Sequence, residues 1–157
     1  MTVSASAPPS CLLVEDSPDD AYFFQRTLKK TGSACSLKQV PDGGAAIQFL
    51  HEAQAGGADA QLPHIIFLDL KMPVMSGFDV LSWIQRQGFS PPLYVIVLSG
   101  SDHKADVARA QELGASDYMV KPISVQDLKD RLERAVPSLP RTSRPGSPES
   151  AETERNP

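Results

Sequence analysis

Short apolar runs alternate with longer amphipathic stretches along most of this chain. Three runs are nearly continuous in apolar residues: CLLV (11–14), HIIFL (64–68) and LYVIVL (93–98). Two shorter ones, SLKQV (36–40) and DYMV (117–120), complete a set of five strands. Between them lie five stretches with helical signals. The first, 17–32, opens on Ser17 and Pro18, carries acids in its first turn, and closes on Lys29, Lys30 and Gly32. Residues 45–53 form a short second helix after the turn sequence PDGG. The helices over 77–88 and 103–114 end in Gly88 and Gly114, and the last, 124–136, is stopped by Pro137.

Strands that are apolar throughout, rather than at every second position, belong to a parallel sheet covered on both faces. Strict alternation of strand and helix, joined by right-handed crossovers, gives an α/β fold of the open, doubly wound type. The segment 54–63 is a long loop for such a fold. The chain has 157 residues, which suits one domain over 11–136. Residues 1–10 read as a disordered leader. Residues 137–157 hold five Pro, four Ser, three Arg and three Glu but a single Leu, too little apolar area to offset ordering. They read as a disordered tail.

Composition narrows the function classes. The net charge is −4 and no basic stripe is present, which argues against direct nucleic-acid binding. Cys11 and Cys35 lie in no metal-binding spacing and read as small core residues. His51, His64 and His103 show no ligand spacing and read as structural or surface groups. No signal peptide or membrane-length apolar run is visible, so a cytoplasmic location without membrane insertion is expected.

In a doubly wound sheet, ligands sit at the carboxyl ends of the strands. The first strand delivers Glu15 and Asp16 there, the third Asp69, the fourth Ser99 and Gly100, and the fifth Lys121 and Pro122. Three carboxylates close together repel unless a cation offsets them. Mg²⁺, which favours carboxylate oxygens and retains water for phosphate ligands, fits best. A metal, a lysine and a hydroxyl resemble a clamp for a phosphoryl group, with Asp69 as the candidate nucleophile. Taken singly, each residue has an ordinary alternative. Glu15 and Asp16 suit the start of a helix, Ser99 a loop, Lys121 a surface, and Asp69 a turn cap.

The stretches LLVEDSPDD, IIFLDLKMPVMSGFDVL, VIVLSG and GASDYMVKP, in this order, resemble the receiver domain of two-component response regulators. The resemblance covers 11–136. It implies a doubly wound (βα)5 fold, flavodoxin-like/CheY-like, with strand order 2-1-3-4-5. It implies Asp69 as phosphoacceptor, and a Mg²⁺ site made of Glu15, Asp16, Asp69 and the backbone carbonyl of Lys71. Ser99, Gly100 and Lys121 would bind the phosphate, and Ser99 and Tyr118 would form the switch. Pro73 and Gly77 would shape the turn after Asp69, and Pro122 would follow a cis peptide bond. Lys71 and Ser101 stand where they would tune the lifetime of the phosphoryl group. The chain is similar to single-domain regulators that include the partners of cyanobacterial phytochromes. These often dimerise through the fourth helix, fifth strand and fifth helix.

The implied activity is signalling rather than metabolic catalysis. A sensor histidine kinase or a histidine phosphotransfer protein would supply the phosphoryl group, slow self-hydrolysis would remove it, and a downstream protein would read the altered surface. Two other readings stay open. A pseudo-receiver would keep the fold as a binding module without phosphorylation. A phosphatase using an Asp nucleophile would need a second Asp two residues on, where this chain has Lys71. On the first helix, Phe23, Phe24, Thr27, Leu28 and Thr31 are expected to face the sheet. Tyr22, Arg26 and Lys29 are the candidate kinase-docking face. Trp83 is expected to pack the third helix.

Overall fold

The computed structural model describes residues 8–56 and 61–136. The tail 137–157, part of the loop 54–63 and all but the end of the leader 1–10 lie outside the described residues. Five parallel strands form one sheet: β1 (Ser10–Val14), β2 (Ser36–Val40), β3 (Ile65–Asp69), β4 (Tyr94–Ser99) and β5 (Asp117–Val120), in the order 2-1-3-4-5. Between and after them run α1 (Pro18–Lys30), α2 (Gly43–Gln54), α3 (Gly77–Gln87), α4 (Lys104–Glu112) and α5 (Val125–Ala135). This is the doubly wound fold expected from the sequence.

The helix starts follow from local chemistry. The Ser17 hydroxyl accepts from the Asp20 amide at 3.2 Å and Pro18 opens α1, where its missing N–H is no loss. Ser76 and Asp79 cap α3 reciprocally, and Ser124 caps α5. Asp42 accepts from the Ala45 amide at 2.7 Å, which starts α2 at Gly43. The glycines of PDGG therefore belong to the helix rather than to a free turn. Strand boundaries shift as well, with β4 at 94–99 rather than 93–98. β1 begins at Ser10, and β3 occupies 65–69 rather than 64–68, which places Asp69 within the ladder opposite Leu98.

Two cores sandwich the sheet. Leu13, Phe67, Ile96, Leu98 and Met119 meet Phe24 and Leu28 of α1 and Leu128 and Leu132 of α5 on one face. Val14, Leu68, Val97 and Leu70 meet α2, α3 and α4 on the other. Alternation along each strand decides which face a residue joins. The same parity, carried to the strand ends, sends Glu15 after Leu13, Asp69 after Phe67 and Lys121 after Met119 toward the α1 and α5 side. Ser99, after Val97, goes with the α4 side.

The α1 expectation needs one correction. Phe24, Thr27, Leu28 and Thr31 are buried, whereas Phe23 is 51% exposed. Neighbouring helical residues point about 100° apart, so Phe23 and Phe24 cannot both reach the sheet. Phe24 wins because it packs on Phe67 in a tilted contact, with ring centroids 4.7 Å apart. Trp83 packs beside Phe89, with ring centroids 6.1 Å apart, on the α3 side. Cys11 is buried, and Cys35 is partly buried against the same core.

Candidate functional site

The carboxyl edge of the sheet gathers the polar residues that the strands deliver. Asp69 is only 4% exposed and Glu15 only 2%. Lys121 lies between them. Its Nζ is 2.9 Å from Glu15 Oε1, 3.0 Å from Asp20 Oδ2 and 3.5 Å from Asp69 Oδ1. Glu15, Asp16 and Asp69 each offer a carboxylate oxygen, and these lie within 4.8 Å of one another. Glu15 is further tied by accepting from the Ser17 amide at 3.2 Å, so the turn into α1 holds it in place.

The electrostatics follow from burial. Desolvation, then the negative charge of Glu15, pushes the Asp69 carboxyl up to about 7. Lys121 and the Lys71 amide, which donates to the Asp69 carboxylate, pull the other way without prevailing. Burial opposes the charge on Lys121. Its hydrogen bonds to Glu15 and Asp20 outweigh that and leave its pKa raised. The site thus holds more negative charge than its single lysine neutralises. This excess, together with an all-oxygen donor set, fits a hard divalent cation held by Glu15, Asp16 and Asp69.

Gly77 is needed for close approach rather than for an unusual backbone angle. A Cβ there would stand 2.4 Å from the Asp69 carbonyl oxygen and 2.8 Å from Leu70 Cα. The Gly77 amide donates to the Leu70 carbonyl at 2.9 Å, drawing α3 onto the end of β3. Between them, the Met75 amide donates to the Pro73 carbonyl at 2.7 Å, and Val74 at the centre has φ 69°. Lys71 and Pro73 are both exposed on this rim. The Lys121–Pro122 peptide bond is cis.

Ser99 is fully buried at the end of β4, and Gly100 after it is exposed. The Ser99 hydroxyl accepts from the Ser101 amide at 3.0 Å, and its carbonyl accepts from the Lys121 amide at 2.7 Å. Tyr118 is half-buried, and its hydroxyl donates to the Ser101 carbonyl at 2.9 Å. The structure therefore brings Glu15, Asp16, Asp69 and Lys121 into one cluster. It joins Ser99 to Tyr118 through Ser101 on the other face. Tyr22, Arg26 and Lys29 are exposed on α1, with the Arg26 guanidinium 5.9 Å from the Tyr22 ring centroid.

The sequence reading passed over two participants. Asp20 braces Lys121, and its signal was the second acid of the Asp19–Asp20 pair in the first turn of α1. His103, expected as a structural or surface group, places its Nδ1 2.8 Å from the Ser101 hydroxyl, a specific bond that its lack of ligand spacing did not point to. Among the described residues, no helix is long and apolar enough to cross a membrane.

Comparison with known proteins agrees with this geometry. The family described as response regulator receiver domain matches residues 11–133. The probable methanogenesis regulatory protein FilR2 of Methanothrix harundinacea is 34% identical over 131 residues, 83% of each chain. Response regulator Rcp1 of Synechocystis is 33% identical over 128 residues, covering 82% of this chain and 86% of that one. The crystal structure of Rcp1 in its Mn²⁺-bound form superposes with a TM-score of 0.65 over 81% of this chain and 91% of that one, at 32% identity. The phosphorylated cyanobacterial phytochrome response regulator RcpA superposes with a TM-score of 0.70 over 85% of this chain and 99% of that one, at 28% identity. With five parallel strands in the order 2-1-3-4-5 and this match along most of its length, the chain belongs to the response regulator receiver domain family.

Proposed function

We propose that this receiver works as a phosphoryl-accepting switch, with Asp69 as the acceptor. The observation that carries the reading is the buried Asp69 carboxylate at the end of β3 with the Lys121 ammonium 3.5 Å away and Glu15 beside both. A histidine kinase or a histidine phosphotransfer protein is the donor of choice. An Asp69 carboxylate oxygen forms the new bond to phosphorus as the phosphorus–nitrogen bond of the phosphohistidine breaks. The imidazole leaves with that electron pair. Charge spreads over the phosphoryl oxygens during transfer, and Lys121 is placed to neutralise part of it.

Glu15, Asp16 and Asp69, with the Lys71 carbonyl, are the residues that would hold Mg²⁺. When bound, such an ion supplies charge neutralisation at the transferring oxygens. The chain's own residues do the rest. Glu15 and Asp20 hold Lys121 in reach, the Lys71 amide orients the acceptor carboxylate, and Gly77 lets α3 close over the backbone of Asp69. Ser99 and Lys121 are the phosphate-binding pair, and Ser99 and Tyr118 link the site to the face made by α4, β5 and α5. That face is the signalling surface toward a protein target, or toward a second copy of the chain. Val120, exposed on β5, offers an apolar side chain there.

The test is labelling with acetyl phosphate and Mg²⁺. Wild-type protein is expected to gain one phosphoryl group, lost slowly by hydrolysis, and Asp69→Asn is expected to gain none. Stoichiometric labelling of Asp69→Asn would overturn the assignment. A wild type that takes no label and binds no Mg²⁺ would favour a pseudo-receiver.

A further inference from the structure

We propose that Ser101 and His103 act as a positioning pair, fixing the turn that presents the Ser99 hydroxyl and receives the Tyr118 hydroxyl. The inference rests on Asp69 being the acceptor. Ser101 is nearly buried, and all its polar groups are engaged. Its amide donates to Ser99 Oγ at 3.0 Å. Its carbonyl accepts from Tyr118 Oη at 2.9 Å. Its hydroxyl lies 2.8 Å from His103 Nδ1 and accepts from the His103 amide at 3.2 Å. One residue therefore touches both Ser99 and Tyr118, and His103 is what holds that residue's side chain.

The chemistry of the hydroxyl gives this arrangement a direction. A serine hydroxyl has one proton to donate and two lone pairs. Ser99 uses a lone pair to accept from Ser101 and keeps its own proton free. The Ser101 amide thus orients Ser99 without consuming the donor that a phosphoryl oxygen requires. Such orientation speeds a transfer only if it exists before the reaction. Side-chain packing at the intervening Gly100 does not supply it, because a Cβ there would meet nothing within 4 Å. The start of α4 does not supply it either. His103 is the N-cap of α4, yet its side chain makes no cap hydrogen bond and turns back to Ser101 instead. The Ser101–His103 bond is what ties the turn to α4.

The experiment compares Ser101→Ala, His103→Ala, the double variant and His103→Asn in labelling by acetyl phosphate at saturating Mg²⁺. His103→Ala is expected to label about fivefold more slowly, the factor for one neutral hydrogen bond, and Ser101→Ala, which also loses the bond from the His103 amide, at least as slowly. The double variant is expected to match Ser101→Ala rather than the product of the singles, because Ser101→Ala already removes the side-chain bond that His103→Ala removes, together with the bond from the His103 amide. His103→Asn, whose amide can reach the hydroxyl, is expected to recover most of the rate. The Tyr118 ring resonance should respond to phosphodonor in the wild type and in His103→Asn, and respond less in the alanine variants. Mg²⁺ affinity and urea midpoint should stay close to wild type throughout. Wild-type rates in the alanine variants, multiplying effects in the double variant, or no recovery with Asn would each overturn the pair. A wild type that takes no label overturns the acceptor reading itself, and this inference with it.

Discussion

Lys121 Nζ lies closer to Glu15, at 2.9 Å, than to Asp69, at 3.5 Å. The lysine is therefore braced by one carboxylate while it faces another. Its ammonium also occupies the electrostatic role that a divalent cation takes among these acids. Lys121→Ala should separate the two roles. Without the competing charge, Mg²⁺ is expected to bind about three- to tenfold more tightly, from a Coulomb difference of about 1 kcal/mol at a partly solvated site. Labelling by acetyl phosphate is expected to fall by at least about tenfold, because a charge-assisted contact to the phosphoryl group is lost. Metal titration by Trp83 fluorescence and a labelling time course check the two halves. Weaker Mg²⁺ binding in the variant would contradict the first.

The raised Asp69 carboxyl sets a pH dependence of stability. An acid whose folded pKa exceeds its unfolded value binds more protons folded than unfolded between the two. For Asp69 that window runs from the ordinary value of 3.8 to about 7. Across it the metal-free protein is expected to lose stability as pH rises, by a few kcal/mol at most. Asp69→Asn should flatten this slope, since an amide has no charge to bury. Urea unfolding of both proteins in chelator, at steps from pH 4.5 to pH 7.5, measures it. A slope that persists unchanged in Asp69→Asn would assign the effect to other groups.

Gly77 is the position where a single methyl group does most harm to the site. Its Cβ would overlap the Asp69 carbonyl oxygen and Leu70 Cα, both backbone atoms that no side-chain rotation can clear. Gly77→Ala is expected to lower stability by about 2–3 kcal/mol, as overpacking does. Because the strain falls on Asp69 itself, Mg²⁺ affinity should fall as well. Denaturant midpoints and metal titration test both. Gly100→Ala, where a Cβ meets nothing within 4 Å, is the matching control and should stay within about 0.5 kcal/mol of wild type.

Val74 offers the opposite case. It has φ 69° with its side chain fully exposed, at the centre of the short turn closed by Met75 and Pro73. A β-branched residue in the left-handed region costs about 1–2 kcal/mol relative to a residue that tolerates it. No packing is lost on replacing it. Val74→Asn is therefore expected to raise stability by about 1 kcal/mol, read as a higher urea midpoint with an unchanged slope.

The fold was legible because its signals are local. Apolar runs such as CLLV and LYVIVL mark buried parallel strands, and Ser17 with Pro18 marks the start of α1. Strand order came from the resemblance, since periodicity says nothing about which strand lies next to which. Glu15, Asp69 and Lys121 were locatable as strand-end residues, because position at the carboxyl edge follows from the fold class alone. Asp20 was not, since acids in a first helical turn are common for dipole reasons and carry no hint of a partner on β5. Phe23 was misplaced because two adjacent phenylalanines look equally apolar in sequence, and only packing on Phe67 decides between them. The Ser101–His103 bond joins residues two apart in an irregular turn, where no spacing rule applies.

That correction at Phe23 yields a test of the docking face. Tyr22 is 62% exposed and Phe23 is 51% exposed, side by side at the start of α1. Phe23 also lines a cleft of about 330 Å³ shared with Glu15, Lys121 and Pro122, so it stands at the entrance to the acidic cluster. With Asp69 as the proposed acceptor, two adjacent exposed aromatics beside it suit a protein partner that would bring a phosphohistidine to it. Removing them leaves the core intact, because Phe24 rather than Phe23 packs on Phe67. The double variant Tyr22→Ser, Phe23→Ser is expected to keep its stability within about 1 kcal/mol and to label normally with acetyl phosphate. Phosphotransfer from a histidine kinase or a histidine phosphotransfer protein should fall by about tenfold or more, the loss expected of aromatic anchors at an interface. An equal fall with both donors would place these residues in the chemistry. No fall with either would move the partner surface elsewhere.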